Sequence, residues 1–259
     1  MLTYVASIPL STRSLTRLSE LIRGRRAVLG GRWRLPAHEQ ALMTLAHLRN
    51  GDTLTRLAAG FAVSVSTVWR YLREAIDLLA GHAWDLARAA ARATRLAYAI
   101  IDGTPVPIDR VADQRPYHSG KHRRHGVNVQ ILADPAGRLV WASPALPGAV
   151  HDLTTARSHG LIDALTTARV MTFAGKGYQG AGGTVWTPFK RQPQRPKLSA
   201  RQKQVNRHHA KIRALGERAV AVLKTWKILT KLRCSPHHAT AIIAAITVLQ
   251  HTEDDRYSR

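Results

Sequence analysis

AYAIID, residues 97–102, is where the chain changes character. Upstream, apolar residues recur at the three- and four-residue spacing of helices. Here they form a short run that stops at an acid, Asp102. GVNVQILAD (126–134) alternates like a second strand, and RLVWASP (138–144) reads as its hairpin partner across Pro135–Gly137. The pattern then predicts a helix over 152–167 with Asp152 as its N-cap and a strand over 170–174. A shorter strand in VWTPF and a basic, proline-containing loop over 190–198 come next. A long helix over 199–230 and an apolar helix after Pro236 complete the order. Three strands, a helix, one or two strands and a long helix give an α/β class with a mixed sheet.

The region before residue 97 reads as helical. Residues 1–34 form a basic N-terminal segment with a short helix over Ser14–Arg23. Pro36 opens a helix over 37–49 with Leu42, Leu45, Ala46 and Leu48 on one face. In DTLTRLAAGFAVSVSTVWRYLREAIDLL, Asp52 or Thr53 caps a short helix, Gly60 ends it, and Ser64 or Ser66 starts another. The second helix points Val65, Val68, Tyr71 and Leu72 inward. Helix, short turn, helix is the helix-turn-helix layout. It would leave Ser66, Thr67, Trp69, Arg70 and Arg73 outward, types that suit phosphate and base-edge contacts in a major groove. The divisions expected along the chain are residues 1–34, a helix-turn-helix domain over 35–92, an α/β domain over 93–252 and a tail over 253–259.

Composition narrows the partners. The 259 residues carry 39 Lys and Arg against 16 Asp and Glu, a net charge of +23, with 45% hydrophobic residues. The chain can bury a core, and its basic surface calls for a polyanion, foremost nucleic acid. One cysteine, Cys234, excludes a disulfide framework and a cysteine-rich zinc site. With no signal-peptide pattern, no apolar run of membrane-spanning length and one cysteine, the expected place is a reducing cytosol. YHSGKHRRHG (117–126) spaces His118, His122 and His125 as a zinc site could, but Lys121, Arg123 and Arg124 are interleaved and no acid is near. Phosphate contact is the reading adopted. Trp186 and Trp226 are read as core residues rather than base-stacking platforms.

Five stretches carry a resemblance. IIDGTPVPIDR (100–110), SGKHRRHGVNVQILAD (119–134), PGAVHDLTTAR (147–157), AGKGYQGAGG (174–183) and RALGERAVAVLK (213–224) resemble the DDE transposases of bacterial insertion sequences, in the branch related to Harbinger elements. The resemblance covers about Pro36 to Leu249. It implies an RNase H-like domain, a site of three carboxylates binding Mg²⁺ (or Mn²⁺), and cleavage and joining of DNA at element ends. Asp102 is similar to the family's first aspartate and Glu217 to its final glutamate, with Arg213 and Lys224 flanking it as in the family's signature. Ala210 stands where many relatives have tyrosine.

The second aspartate's position, just before Lys176, is Gly175. No Asp or Glu occurs between Ala164 and Gly216, so a small shift of register restores none. Asp152 is the local alternative as a metal ligand, with helix capping as its competing role. Loss of a ligand carboxylate predicts impaired strand cleavage and transfer. The other function open at this point is a DNA-binding protein without catalysis, derived from a transposase. In either case the expected partner is double-stranded DNA, at element ends and target, bound by a homodimer. Lys121, Arg123, Arg124, Lys176, Arg213 and Lys224 join the second helix as expected DNA contacts.

Overall fold

One strand, β1 (Ala99–Pro107), pairs in both directions and organises the second half of the chain. On one side it runs antiparallel to β3 (Arg124–Ala133), in register from Ile100↔Ala133 to Pro107↔Gly126. On the other it runs parallel to β6 (Thr172–Ala174), but only through Ala99↔Thr172, Ile100↔Phe173 and Ile101↔Ala174. β2 (His118–Ser119), β4 (Leu139–Ala142) and β5 (Leu146–Pro147) pair with β3, and β7 (Val185–Trp186) runs parallel to β6. The sheet is therefore mixed, with order β2-β3-β1-β6-β7. The computed structural model describes residues 7–109, 115–120, 123–191, 193 and 197–255. Lys121 and His122 lie outside the described residues.

β1 does not stop at Asp102, as the sequence suggested, but continues five residues to Pro107. Glycine and two prolines looked like an end. Beyond Ile101, however, the strand is paired with β3 alone, and proline is tolerated where one side of a strand makes no ladder. The expected helix over 152–167 is two helices, α6 (Asp152–Ser158) and α7 (Leu161–Thr167), divided at Gly160, whose φ of 68° breaks the helical path. The hairpin between β3 and β4 forms as expected. The Asp134 carboxylate accepts from the Ala136 and Arg138 N–H groups at 2.9 and 2.8 Å. Ala89, Ala93, Ile101, Leu132, Trp141, Ala156, Leu161, Leu165 and Tyr178 build one core, with α5 (Leu86–Ala93) contributing Ala89 and Ala93.

The long helix is α8 (Ala200–Lys224), which ends six residues before the expected Thr230. Trp226, extended at ψ 99°, breaks the path before a 3₁₀ turn at Lys227–Thr230. The apolar rhythm persists through that turn because Leu229 is buried too. Where α8 meets β1 it does so through Gly216: a Cβ there would lie 2.7 Å from Ile100 Cγ2.

Chain packing groups Trp84–Leu223 into one unit, and Met1–Ala83 with Lys224–Arg259 into the other. The second contains α1 (Thr12–Leu29), α2 (Ala37–Leu45) with a π turn over Ala46–Asn50, α3 (Leu54–Gly60), α4 (Val65–Ala80) and α9 (Pro236–Asp254). α1 outruns the expected 14–23 because its basic end is held by tertiary contacts. Arg26 donates to Gln40 Oε1 at 2.6 Å and its guanidinium lies 4.6 Å from the Trp33 ring centre. α9 also enters the segment expected to be a tail. Its Glu253 carboxylate accepts from the Ser11 N–H at 3.1 Å and from the Ser11 and Ser14 hydroxyls at 2.7 and 2.6 Å. That acid caps the start of α1, which has no side-chain cap of its own. Among the described residues no helix is long and apolar enough to cross a membrane.

The contact at Gly216 yields a sign test. Alanine is the better helix former by about 1 kcal/mol. Overpacking against Ile100 costs about 1–3 kcal/mol. Gly216→Ala is expected to lower the urea midpoint despite the propensity gain; a raised midpoint would mean that helix and strand are not in tight contact.

Candidate active site

The parallel register sets the geometry. Ile101 pairs with Ala174, so the next residues, Asp102 and Gly175, sit side by side where β6 ends and β1 continues. Gly175 is buried and has φ −73° and ψ 177°, an extended conformation open to any residue. Backbone geometry therefore does not require glycine there. The space is bounded by a cation. A Cβ at Gly175 would stand 3.3 Å from Arg213 Nε and 3.4 Å from its Nη2. Arg213 also lies 3.4 Å from Glu217 Oε1, one turn along α8. That pair is 29% and 62% exposed, so its ion pair adds little stability.

Asp102 is the most constrained of the acids. Burial raises its pKa above the ordinary value; the Arg213 guanidinium and the Gly103 N–H oppose the rise, and Asp152 and Glu217 add to it. Asp102, Asp152, Glu217 and Arg213 are thus within electrostatic reach of one another.

Asp152 is not the N-cap of α6. His151 holds that place, with no side-chain capping bond, and Asp152 opens the helix proper. Its carboxylate is turned into the sheet. Asn128 Nδ2 donates to Asp152 Oδ1 at 3.0 Å. Gln130 Nε2 donates to Asn128 Oδ1 at 3.2 Å, and the Tyr178 hydroxyl donates to Gln130 Oε1. Every donor in this buried relay points toward Asp152, so the relay ends on a group that can only accept when ionised. Two glycines leave room for it: a Cβ at Gly103 would lie 2.7 Å from Asp152 Cγ, and one at Gly177 would lie 2.9 Å from Oδ2. Burial, then Asp152 and Asp102, push the Tyr178 pKa well up, which keeps its phenol a donor. The sequence reading missed Asn128, Gln130 and the two glycines. The signal was present as NVQ: two amides at strand period within an otherwise apolar strand face one side.

From Asp152 a cleft of about 240 Å³ extends past Asn128 and Gly148 to His118, His125 and Arg124. The two imidazoles face each other across β2 and β3 with ring centres 5.2 Å apart. Arg123 and Arg124 are exposed, as is Lys176. Lys224 is the last residue of α8 and groups with the helical unit.

The helical unit carries the other expected surface. Thr53, not Asp52, caps α3, and Ser64 caps α4 by accepting from the Thr67 N–H at 3.2 Å. Val68, Tyr71 and Leu72 point inward, but Val65, in the first turn, is 44% exposed. Ser66, Trp69, Arg70 and Arg73 are exposed and Thr67 is half-buried. Ser66 and Thr67 hydroxyls each lie 2.9 Å from Ser64 Oγ, so they belong to the capping network. Arg73 lies 5.6 Å from the centre of the Trp69 ring.

Residues 101–251 match the DDE superfamily endonuclease family, and residues 33–83 match the helix-turn-helix of DDE superfamily endonuclease. The chain is 31% identical over 242 residues to the putative transposase for insertion sequence element IS112 of Streptomyces albus G, spanning 91% of this chain and 90% of that protein. No solved structure matches it. The chain belongs to the DDE superfamily endonucleases. It is a transposase of that family with a helix-turn-helix DNA-binding domain, and its mixed α/β architecture is consistent with the family's RNase H-like domain.

DDE superfamily endonucleases are divalent-metal dependent. At the place of the second carboxylate, Gly175, the residues of this chain do not fit such a centre. A guanidinium borders the place of the second carboxylate. Among the described residues no group of three or more His, Cys, Asp or Glu side chains is arranged to hold a metal ion.

The raised pKa of Asp102 gives a pH-dependent expectation. The folded state binds the Asp102 proton more readily than the unfolded chain, so ionising it costs stability. That cost appears as pH rises through the folded pKa and is absent below the unfolded one. Asp102→Asn is expected to raise Tm relative to the unchanged protein at neutral pH, with the gain vanishing in acid. Thermal melts across pH check this, and a lower Tm at neutral pH would contradict it.

Proposed function

We propose that this transposase binds insertion-sequence DNA through its helix-turn-helix and that its metal-dependent cleavage and strand transfer are impaired at Gly175. The observation that supports the reading is the pairing of Asp102 with Gly175 at the end of the parallel ladder, with Arg213 against the glycine. One negative charge and one ligand group are missing where hard divalent cations take oxygen ligands. A cation beside the gap disfavours a second positive charge there. The acids proposed to remain as ligands are Asp102 and Glu217, with Asp152 as the third. The metal proposed for a restored site is Mg²⁺, with Mn²⁺ as a substitute.

The proposed partner is duplex DNA at element ends and at the target, bound by a homodimer in the bacterial cytoplasm. Ser66, Thr67, Trp69, Arg70 and Arg73 would meet the major groove. Arg123, Arg124, Lys176, Arg213 and Lys224 would meet phosphates, together with Lys121. Without catalysis, such a protein could still occupy element ends as a DNA-binding derivative. The relay onto Asp152 favours one variant of the proposal, in which that acid supplies part of the lost coordination.

The experiment is cleavage of an inverted-repeat plasmid with Mg²⁺ or Mn²⁺. Gly175→Asp is expected to cut at least about 100-fold faster than the unchanged protein, beyond the loss typical of a disturbed outer shell. Equal cutting by both, abolished by Asp152→Ala, would move the second ligand to Asp152 and overturn the role given to Gly175.

A further inference from the structure

Trp186, read from the sequence as core, is 62% exposed, and Phe189 is 45% exposed. Trp226, by contrast, is fully buried, as expected. The exposed rings stand on a fixed frame. Asn206 grips Phe189 from both sides: its Oδ1 accepts from the Phe189 N–H at 2.8 Å and its Nδ2 donates to the Phe189 carbonyl at 3.0 Å. Gln179 Nε2 donates to the Pro188 carbonyl at 2.6 Å, and His209 Nε2 donates to the Trp186 carbonyl at 3.1 Å. His209 is in turn packed edge-on against Phe173, with ring centres 5.5 Å apart. Three side chains thus hold the backbone of residues 186–189 while its two largest rings face outward. Folding alone would favour turning those rings inward.

The rings border a groove of about 560 Å³ along α8. Exposed Arg201 lines it, and exposed Lys190, Arg191 and Lys197 line an adjoining cavity that shares Phe189, Ser199 and Gln202 with it. No Asp or Glu occurs anywhere from Ala164 to Gly216. Apolar ring faces within a wholly basic rim complement a ligand that carries flat aromatic faces on an anionic backbone. Unpaired nucleotides have that chemistry; paired bases hide their faces in the stack. We infer that Trp186 and Phe189 form a ledge on which unpaired bases of DNA stack, with the surrounding Lys and Arg holding the phosphates. The ledge shares no residue with the carboxylate site or with the helix-turn-helix. It rests on the DNA-binding reading and adds a strand-state preference to it.

The test uses the full chain, a labelled oligodeoxythymidylate of about 15 nucleotides and a blunt duplex of similar length. Trp186→Ala with Phe189→Ala is expected to weaken oligodeoxythymidylate binding by about tenfold or more. Duplex affinity should stay within about twofold. Trp186→Phe should keep most of the single-strand affinity, and 5-iododeoxyuridine in the oligonucleotide should photocrosslink to Trp186. Unchanged single-strand affinity in the double variant would overturn the inference. So would equal losses on single strand and duplex, or a fall from dimer to monomer in sedimentation, which would make the ledge a subunit contact. If the unchanged protein binds neither DNA, the DNA-binding reading fails and the ledge falls with it; if it binds duplex alone, only the ledge fails.

Discussion

Three residues of parallel pairing, Ala99–Ile101 with Thr172–Ala174, constrain everything at the candidate active site. Their register puts residues 102 and 175 next to each other at the point where one strand ends and the other runs on. A ligand there meets the end of one strand and the middle of another, far apart in sequence, as an α/β sheet commonly gathers its chemistry. α8 completes the arrangement because Gly216 lets it approach Ile100 closely, which brings Arg213 and Glu217 toward Asp102. Within that arrangement residue 175 contributes no side chain. The extended backbone there would accept an aspartate, and the bordering atoms belong to the flexible end of an arginine.

Much of this was legible in the sequence. Strand alternation, the hairpin at Pro135–Gly137 and the two capped helices around Phe61 follow from short-range rules, whereas Asp102 and Glu217 were singled out through the resemblance to a family. The errors share a physical cause. β1 was cut short at Asp102 because proline and glycine signal an end only if both sides of a strand are paired, and pairing is a property of the sheet. The local pattern reads Asp152 as a helix cap because its partner Asn128 lies 24 residues away, on β3. α8 was run on through residue 230 because the apolar rhythm survives the break at Trp226. Glu253 looked like the start of a tail because the serines it caps are at the other end of the chain. Trp186 was placed in the core because tryptophan usually is. Its exposure depends on hydrogen bonds from α8 that no local pattern encodes.

The half-buried acids illustrate a tension between stability and chemistry. Asp102 is held where its charge is disfavoured, and Asp152 is bonded by Asn128, which Gln130 and Tyr178 support in turn with polar groups that a simpler core would replace with apolar ones. Such features persist at functional sites and are compensated elsewhere. The polar scaffold around Asp152 is in place in this chain. The proposed history is the loss of one ligand from a transposase site, and Asp to Gly needs only a single base change.

Binding of Mn²⁺, followed by electron paramagnetic resonance and calorimetry without DNA, tests that claim most directly. The account expects weak or no binding by the unchanged protein and saturable binding by Gly175→Asp, abolished when Asp102 is also changed to alanine. Equally tight Mn²⁺ binding by the unchanged protein and by Gly175→Asp would contradict it, since the site would then hold its metal without a carboxylate at residue 175.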